Sequence, residues 1–157
     1  MLCEGARVLP SRTMFAPTQE QVRRFFCEAW AKSQAGQPLQ AIEQLAAGWV
    51  AEHPEWHAEL ADADAAVARD YGEGAVGGNP FLHLSMHLSI SEQCSIDQPA
   101  GIRQAVELLA ARRGDLHTAH HEVMDCLGQM LADAQARRGA PDGAAYLDCV
   151  RRRATGP

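Results

Sequence analysis

One segment, residues 80–94, constrains the fold more than any other. Asn79 and Pro80 suit the cap and first turn of a helix, and the stretch from Phe81 to about Cys94 is apolar on nearly every side. A helix without a polar face has to be surrounded, so this one is expected at the centre of a bundle. The glycines at 72, 74, 77 and 78 read as the loop that leads into it.

The rest of the chain supplies the surround. Thr18 and Gln21 spell a capping box, and Val22, Phe25, Phe26, Ala29 and Trp30 recur at helical spacing up to a stop at Gly36. Pro38 suits the first turn of a second helix with the stripe Leu39, Ile42, Leu45, Ala46 and Trp49, which breaks before Pro54. A third helical stretch, rich in Ala and Asp, runs from Pro54 to about Asp70. Asp97 is expected to cap a helix carrying Ile102, Val106, Leu109 and Ala110 and ending at Gly114. Asp115 starts the longest helix, lined by Leu116, His120, Val123, Met124, Leu127, Leu131 and Ala134 as far as Gly139. A last short helix from Pro141 offers Tyr146, Leu147 and Val150 to the core.

No segment alternates like a strand and no repeat of fixed period is present. The fold class is therefore all-α: a single-domain helical bundle of about four principal helices plus short accessory ones. The domain spans residues 14–153 of the 157, with 1–13 read as a disordered or spurious extension and 154–157 as a flexible tail.

Composition limits the partners. With 20 acidic against 14 basic residues the chain carries a net charge of −6, which gives no basic stripe for nucleic acid. Its apolar runs fall short of the roughly 18 residues a membrane span needs, and the first 13 residues hold no signal-like core. A cytoplasmic location is expected. A protein partner or a homo-oligomer stays open. Cys3, Cys27, Cys94, Cys126 and Cys149 are odd in number, widely separated and without a CxxC, so they read as buried thiols rather than as a disulfide framework.

The seven histidines are grouped. His53 and His57, His83 and His87, and His117 and His121 are each four apart, with His120 beside the last pair. A four-residue step turns a helix by about 40°, so each pair can face one ion. The first pair is the weakest, because Pro54 leaves His53 at a helix boundary. Asp125 continues the stripe of His117 and His121, and Cys94 lies within about 20° of His83 around the helix axis, whereas Glu92 lies nearly opposite. The expected ligands are His57, His83, His87, His121 and Asp125, followed by His53, His117 and His120. Iron, zinc or manganese are the candidate ions, since imidazoles and a carboxylate on facing helices bind such metals inside bundles. The competing reading is a hydrogen-bonded histidine network in a non-enzymatic interaction or regulatory protein, with acids such as Glu92, Asp97, Glu122 and Asp125 as partners.

Other chemistry has less support. His121-Glu122-Val123-Met124-Asp125 starts like a zincin helix but ends in Asp, with no further ligand motif behind it. No GxGxxG or phosphate loop is present, and no serine sits in a nucleophile elbow. Catalytic residues are unassigned by the sequence.

Two resemblances follow from these motifs. The order of HxxxH at 53, HxxxH at 83 and HxxxxD from His120 to Asp125 is similar to hemerythrin, which would imply two irons in a bundle. Here His57 stands where that family has a bridging Glu, and the helix over 18–35 offers no His, so oxygen binding lacks its bridging carboxylate. The second covers essentially everything after residue 13. Met14-Phe15 with Pro17, Gln21-Val22-Arg23, His53-Pro54-Glu55-Trp56-His57, Asn79-Pro80-Phe81-Leu82-His83 with His87, Glu92-Gln93, Asp97-Gln98-Pro99 with Gly101-Ile102-Arg103, and then His121, Cys126-Leu127, Pro141-Asp142 and Tyr146-Leu147 closely resemble the bacterial family known as domain of unknown function 1841. That resemblance implies Met14 as the usual start and carries no activity with it.

Overall fold

The computed structural model describes residues 17–72 and 78–157. The extension at 1–13, the start at Met14 and the loop glycines 74 and 77 lie outside them. Among the described residues there are helices and connections and no strands, in the order α1 (Gln19–Gln34), α2 (Ala41–Ala51), a 3-10 turn (Pro54–Trp56), α3 (His57–Leu60), α4 (Ala63–Ala68), α5 (Pro80–Ile96), α6 (Ile102–Arg113), α7 (Leu116–Arg137) and α8 (Gly143–Thr155). Six of these run for eleven residues or more, two beyond the four principal helices expected.

Caps set most of the boundaries. Thr18 and Gln21 exchange hydrogen bonds at the start of α1 as a reciprocal box, and Asn79 Oδ1 accepts from the Phe81 and Leu82 amides at the start of α5. Asp115 and Asp142 do the same for α7 and α8 through Thr118 and Ala145. Two starts differ from expectation. A box between Gln40 and Glu43 opens α2 at Ala41, beyond Pro38. Asp97 closes α5 in the left-handed region at φ 52°, and its carboxylate reaches across to the Gly101 and Arg103 amides at the mouth of α6. The stretch from Pro54 to Asp70 is not one helix: it breaks into the 3-10 turn, α3 and α4, the last capped by Asp62.

Two apolar cores share α5. Phe81, Leu84 and Leu88 pack with Phe26, Ala46, Trp49, Val50 and Leu60 from the N-terminal helices, while Ile90 packs with Ile102, Val106, Leu109, Val123, Leu127, Tyr146 and Val150 from the C-terminal ones. The apolar girth of α5 thus serves a core on each side, although Leu82 and Ile96 are left exposed and the helix is not wholly surrounded. No helix among the described residues is long and apolar enough to cross a membrane.

The cysteines correct one expectation. Cys126 of α7 and Cys149 of α8 form a disulfide, because the helices that carry them pack side by side and bring the two Cα atoms to 5.8 Å. Cys27 is a buried free thiol and Cys94 a half-buried one.

Candidate metal centre

Where the two cores meet, five histidines turn inward. His53, His83, His87, His117 and His121 each offer one ring nitrogen, and these five atoms lie within 4.8 Å of one another. The helical step explains four of them: His83 and His87 on α5, and His117 and His121 on α7, are i, i+4 pairs on helices that pack together. His53 arrives differently. Pro54 ends α2, and His53 turns out of the helix at φ −127°, ψ 65°, which swings its ring into the gap between α5 and α7.

The nitrogens meet at contact distance. His83 Nε2 is 3.1 Å from His87 Nε2 and 3.2 Å from His121 Nε2, and His53 Nε2 is 3.1 Å from His117 Nε2. The outward nitrogens are tied to other groups. His53 Nδ1 donates to the Trp49 carbonyl at 2.7 Å, His87 Nδ1 pairs with His120 Nδ1 at 3.1 Å, and His117 Nδ1 lies 3.5 Å from Glu52 Oε2. Such outer bonds orient imidazoles toward an ion and fix their tautomers. Indoles complete the walls. Trp49 stacks on His87 with centroids 3.9 Å apart and donates its N–H to Ser91 Oγ, and Trp56 stacks on His53 at 4.7 Å.

Proton accounting shows what the inner face offers. A carbonyl only accepts, so His53 Nδ1 carries the proton and the neutral ring presents a bare lone pair at Nε2. A neutral His117 that donates from Nε2 satisfies that lone pair at 3.1 Å, while its own Nδ1 faces the exposed Glu52 carboxylate at 3.5 Å without a hydrogen bond. A cation between the rings would use the same lone pair.

Burial disfavours the charged form of His53, His83, His87 and His121. Desolvation, with neighbouring imidazoles behind it, holds His83 down at about 4 and pushes His87 below the ordinary histidine value. His121 is lowered by the same causes, and His53 is lowered by burial against the opposing effect of its Trp49 hydrogen bond. His120 is held at about 4, again by burial first. Neutral imidazole is the form that binds a metal.

Not every expected residue is in the cluster. His57 opens α3, donates from Nε2 to the Val50 carbonyl at 2.8 Å and stacks on Trp30 at 4.4 Å, so it faces the N-terminal core. Asp125 lies one turn beyond His121, about 6 Å along the helix axis, and pairs with Arg153 at 3.0 Å. Cys94 matches His83 in angle only: eleven residues place it about 16 Å up α5. There it packs against the C-terminal core, and burial pushes its thiol up to about 11. His120 stands behind His87 rather than beside the other nitrogens. Trp49, Glu52 and Trp56 were not singled out by the sequence. Only the sharing of α2 and its Pro54 boundary with His53 hinted at them.

The family described as Domain of unknown function (DUF1841) matches residues 18–152, and the chain belongs to that family. No curated protein and no solved structure matches the chain.

Proposed function

We propose that this member of the DUF1841 family is a metal-binding protein whose ion is held singly by His53, His83, His87, His117 and His121. The observation that carries this reading is the convergence of five ring nitrogens within 4.8 Å of one another, with the Trp49 carbonyl forcing the His53 lone pair inward. One cation would take that lone pair and serve the other four nitrogens at once. Of the candidate ions, iron(II) suits the donor set best. Zinc in protein sites is almost always four-coordinate, and manganese favours carboxylate and water oxygens, whereas five imidazoles suit a borderline divalent ion of higher coordination number. No carboxylate belongs to the set, so a carboxylate-bridged pair of irons has no support here.

A second reading rests on the His53–His117 contact. A neutral His117 donating from Nε2 to the His53 lone pair closes a purely hydrogen-bonded network, as a structural or regulatory protein would need. Metal analysis separates the two. Protein purified without a polyhistidine tag and reconstituted anaerobically with iron, zinc and manganese in turn is expected to retain about one ion per chain. Folded protein that retains none of the three would leave the network reading standing.

A further inference from the structure

We infer that the five-imidazole centre has one open coordination position, that this position takes a small monodentate anion, and that bidentate substrates are excluded. This rests on the metal-binding reading above and goes on to name the class of ligand.

The donor geometry sets the number of positions. With metal–nitrogen bonds of about 2.1 Å, adjacent corners of an octahedron lie about 3.0 Å apart and opposite corners about 4.2 Å apart. The close pairs at 3.1 and 3.2 Å match adjacent corners, and the 4.8 Å limit exceeds the opposite-corner distance by about 0.6 Å. A six-coordinate ion held by these five nitrogens would keep one corner free. It opens on the side of His121, the exposed member, because His53 and His87 are buried under Trp56 and Trp49.

Charge sets the ligand class. All five donors are neutral rings and the Glu52 carboxylate stands outside them, exposed behind His117, so a divalent ion keeps most of its charge in a half-buried site. An anion at the sixth position offsets that charge, and a neutral ligand does not. A chelating substrate needs two adjacent positions and would have to displace an imidazole. His53 and His87 resist displacement through their outer bonds to Trp49 and His120, and His83 is wedged between two of the rings.

Cobalt(II) makes this measurable. The untagged chain is loaded with cobalt, its metal content is measured, and the visible spectrum is followed while azide or, separately, acetohydroxamate is added. Azide is expected to shift the spectrum with saturation at one equivalent per cobalt, and acetohydroxamate to leave it unchanged with the cobalt retained. His121→Ala frees a second adjacent position, so the cobalt-loaded variant is expected to bind acetohydroxamate at least about 100-fold more tightly than the parent does, the scale of a chelate's effective concentration. A cobalt-loaded parent that ignores azide, or that binds acetohydroxamate as tightly as the variant, overturns the single open position. A folded chain that takes up no cobalt fails before any azide is added, and overturns the metal-binding reading along with this one.

Discussion

His121→Ala and His57→Ala should part company, because both are members of a four-residue histidine pair and only one faces the centre. His121 is exposed, and its loss removes only a solvent-exposed contact with His83 at 3.2 Å, within about 0.5 kcal/mol of apo stability. His57 is half-buried. Its loss removes the bond to the Val50 carbonyl, about 1 kcal/mol, and the stack on Trp30, about another 1 kcal/mol. Apo His57→Ala should therefore be the less stable variant by roughly 1.5 kcal/mol, from those same two terms. Added metal should reverse the order of damage. An ion at 100 times its dissociation constant stabilises the fold by about 2.7 kcal/mol, and a 100-fold loss of affinity leaves only about 0.4 kcal/mol of that. Loss of an outer partner of a ligand already costs 10- to 100-fold in affinity, so about 100-fold is a modest figure for a direct donor. For a domain of this size each kcal/mol is worth about 3 °C. Thermal melts with and without iron(II) or cobalt(II) should then show a rise of roughly 8 °C for the parent and for His57→Ala, and roughly 1 °C for His121→Ala. A metal-induced rise that survives in His121→Ala, or vanishes in His57→Ala, refutes the five-histidine assignment.

Three further outcomes follow from the same contacts. Glu52→Gln removes the carboxylate behind His117 and should weaken metal binding by about 10- to 100-fold, read by competition with a chromophoric chelator; an unchanged affinity would mean that Glu52 plays no part in orienting the ring. The Cys126–Cys149 bridge closes a loop over a separation of 23 residues, so Cys149→Ser should lower stability in denaturant melts by about 3 kcal/mol, and a reductant that destabilises the parent should leave the variant unaffected. Because His83 and His120 titrate at about 4 when folded and near 6.5 when unfolded, their contribution is intact above 6.5 and is lost as pH falls toward 4; His120, almost fully buried, accounts for up to about 3 kcal/mol of that, and a metal-free melting temperature that stays flat from pH 7 to pH 4.5 would count against neutral buried rings.

Helix existence could be read from the sequence because caps and 3.6-residue stripes are local signals. The His83–His87 and His117–His121 pairs could be read for the same reason, each lying inside one regular helix. The pair at 53 and 57 misled because it straddles a break. Pro54 stops α2, the 3-10 turn redirects the chain, and the four-residue rule holds only within a continuous helix. His53, the boundary member, enters the cluster and His57 does not. Angular arithmetic misled in a second way at Asp125 and Cys94. A stripe continues along a helix indefinitely, whereas an ion reaches only about 2 Å, so axial rise excludes residues that angle alone admits. The disulfide was invisible to spacing because it joins two helices whose adjacency is tertiary.

The position of the five rings bears on how the molecule holds together. Helices α2 and α7 belong to different cores, α2 packing most on α1 and α7 on α6 and α8, and each also packs on α5 rather than on the other. His53, at the end of α2, touches His117 of α7, and both surround the nitrogens of α5. The cluster is therefore the place where the N-terminal core, the shared helix and the C-terminal core are joined by side chains. An ion bound there has no site in the unfolded chain, so its binding free energy adds to that of the join. The coupling runs both ways. Any change that let α7 drift from α5 would spread the nitrogens and weaken a bound ion. On the proposed reading, metal affinity and the cohesion of the two halves are two measurements of one interaction.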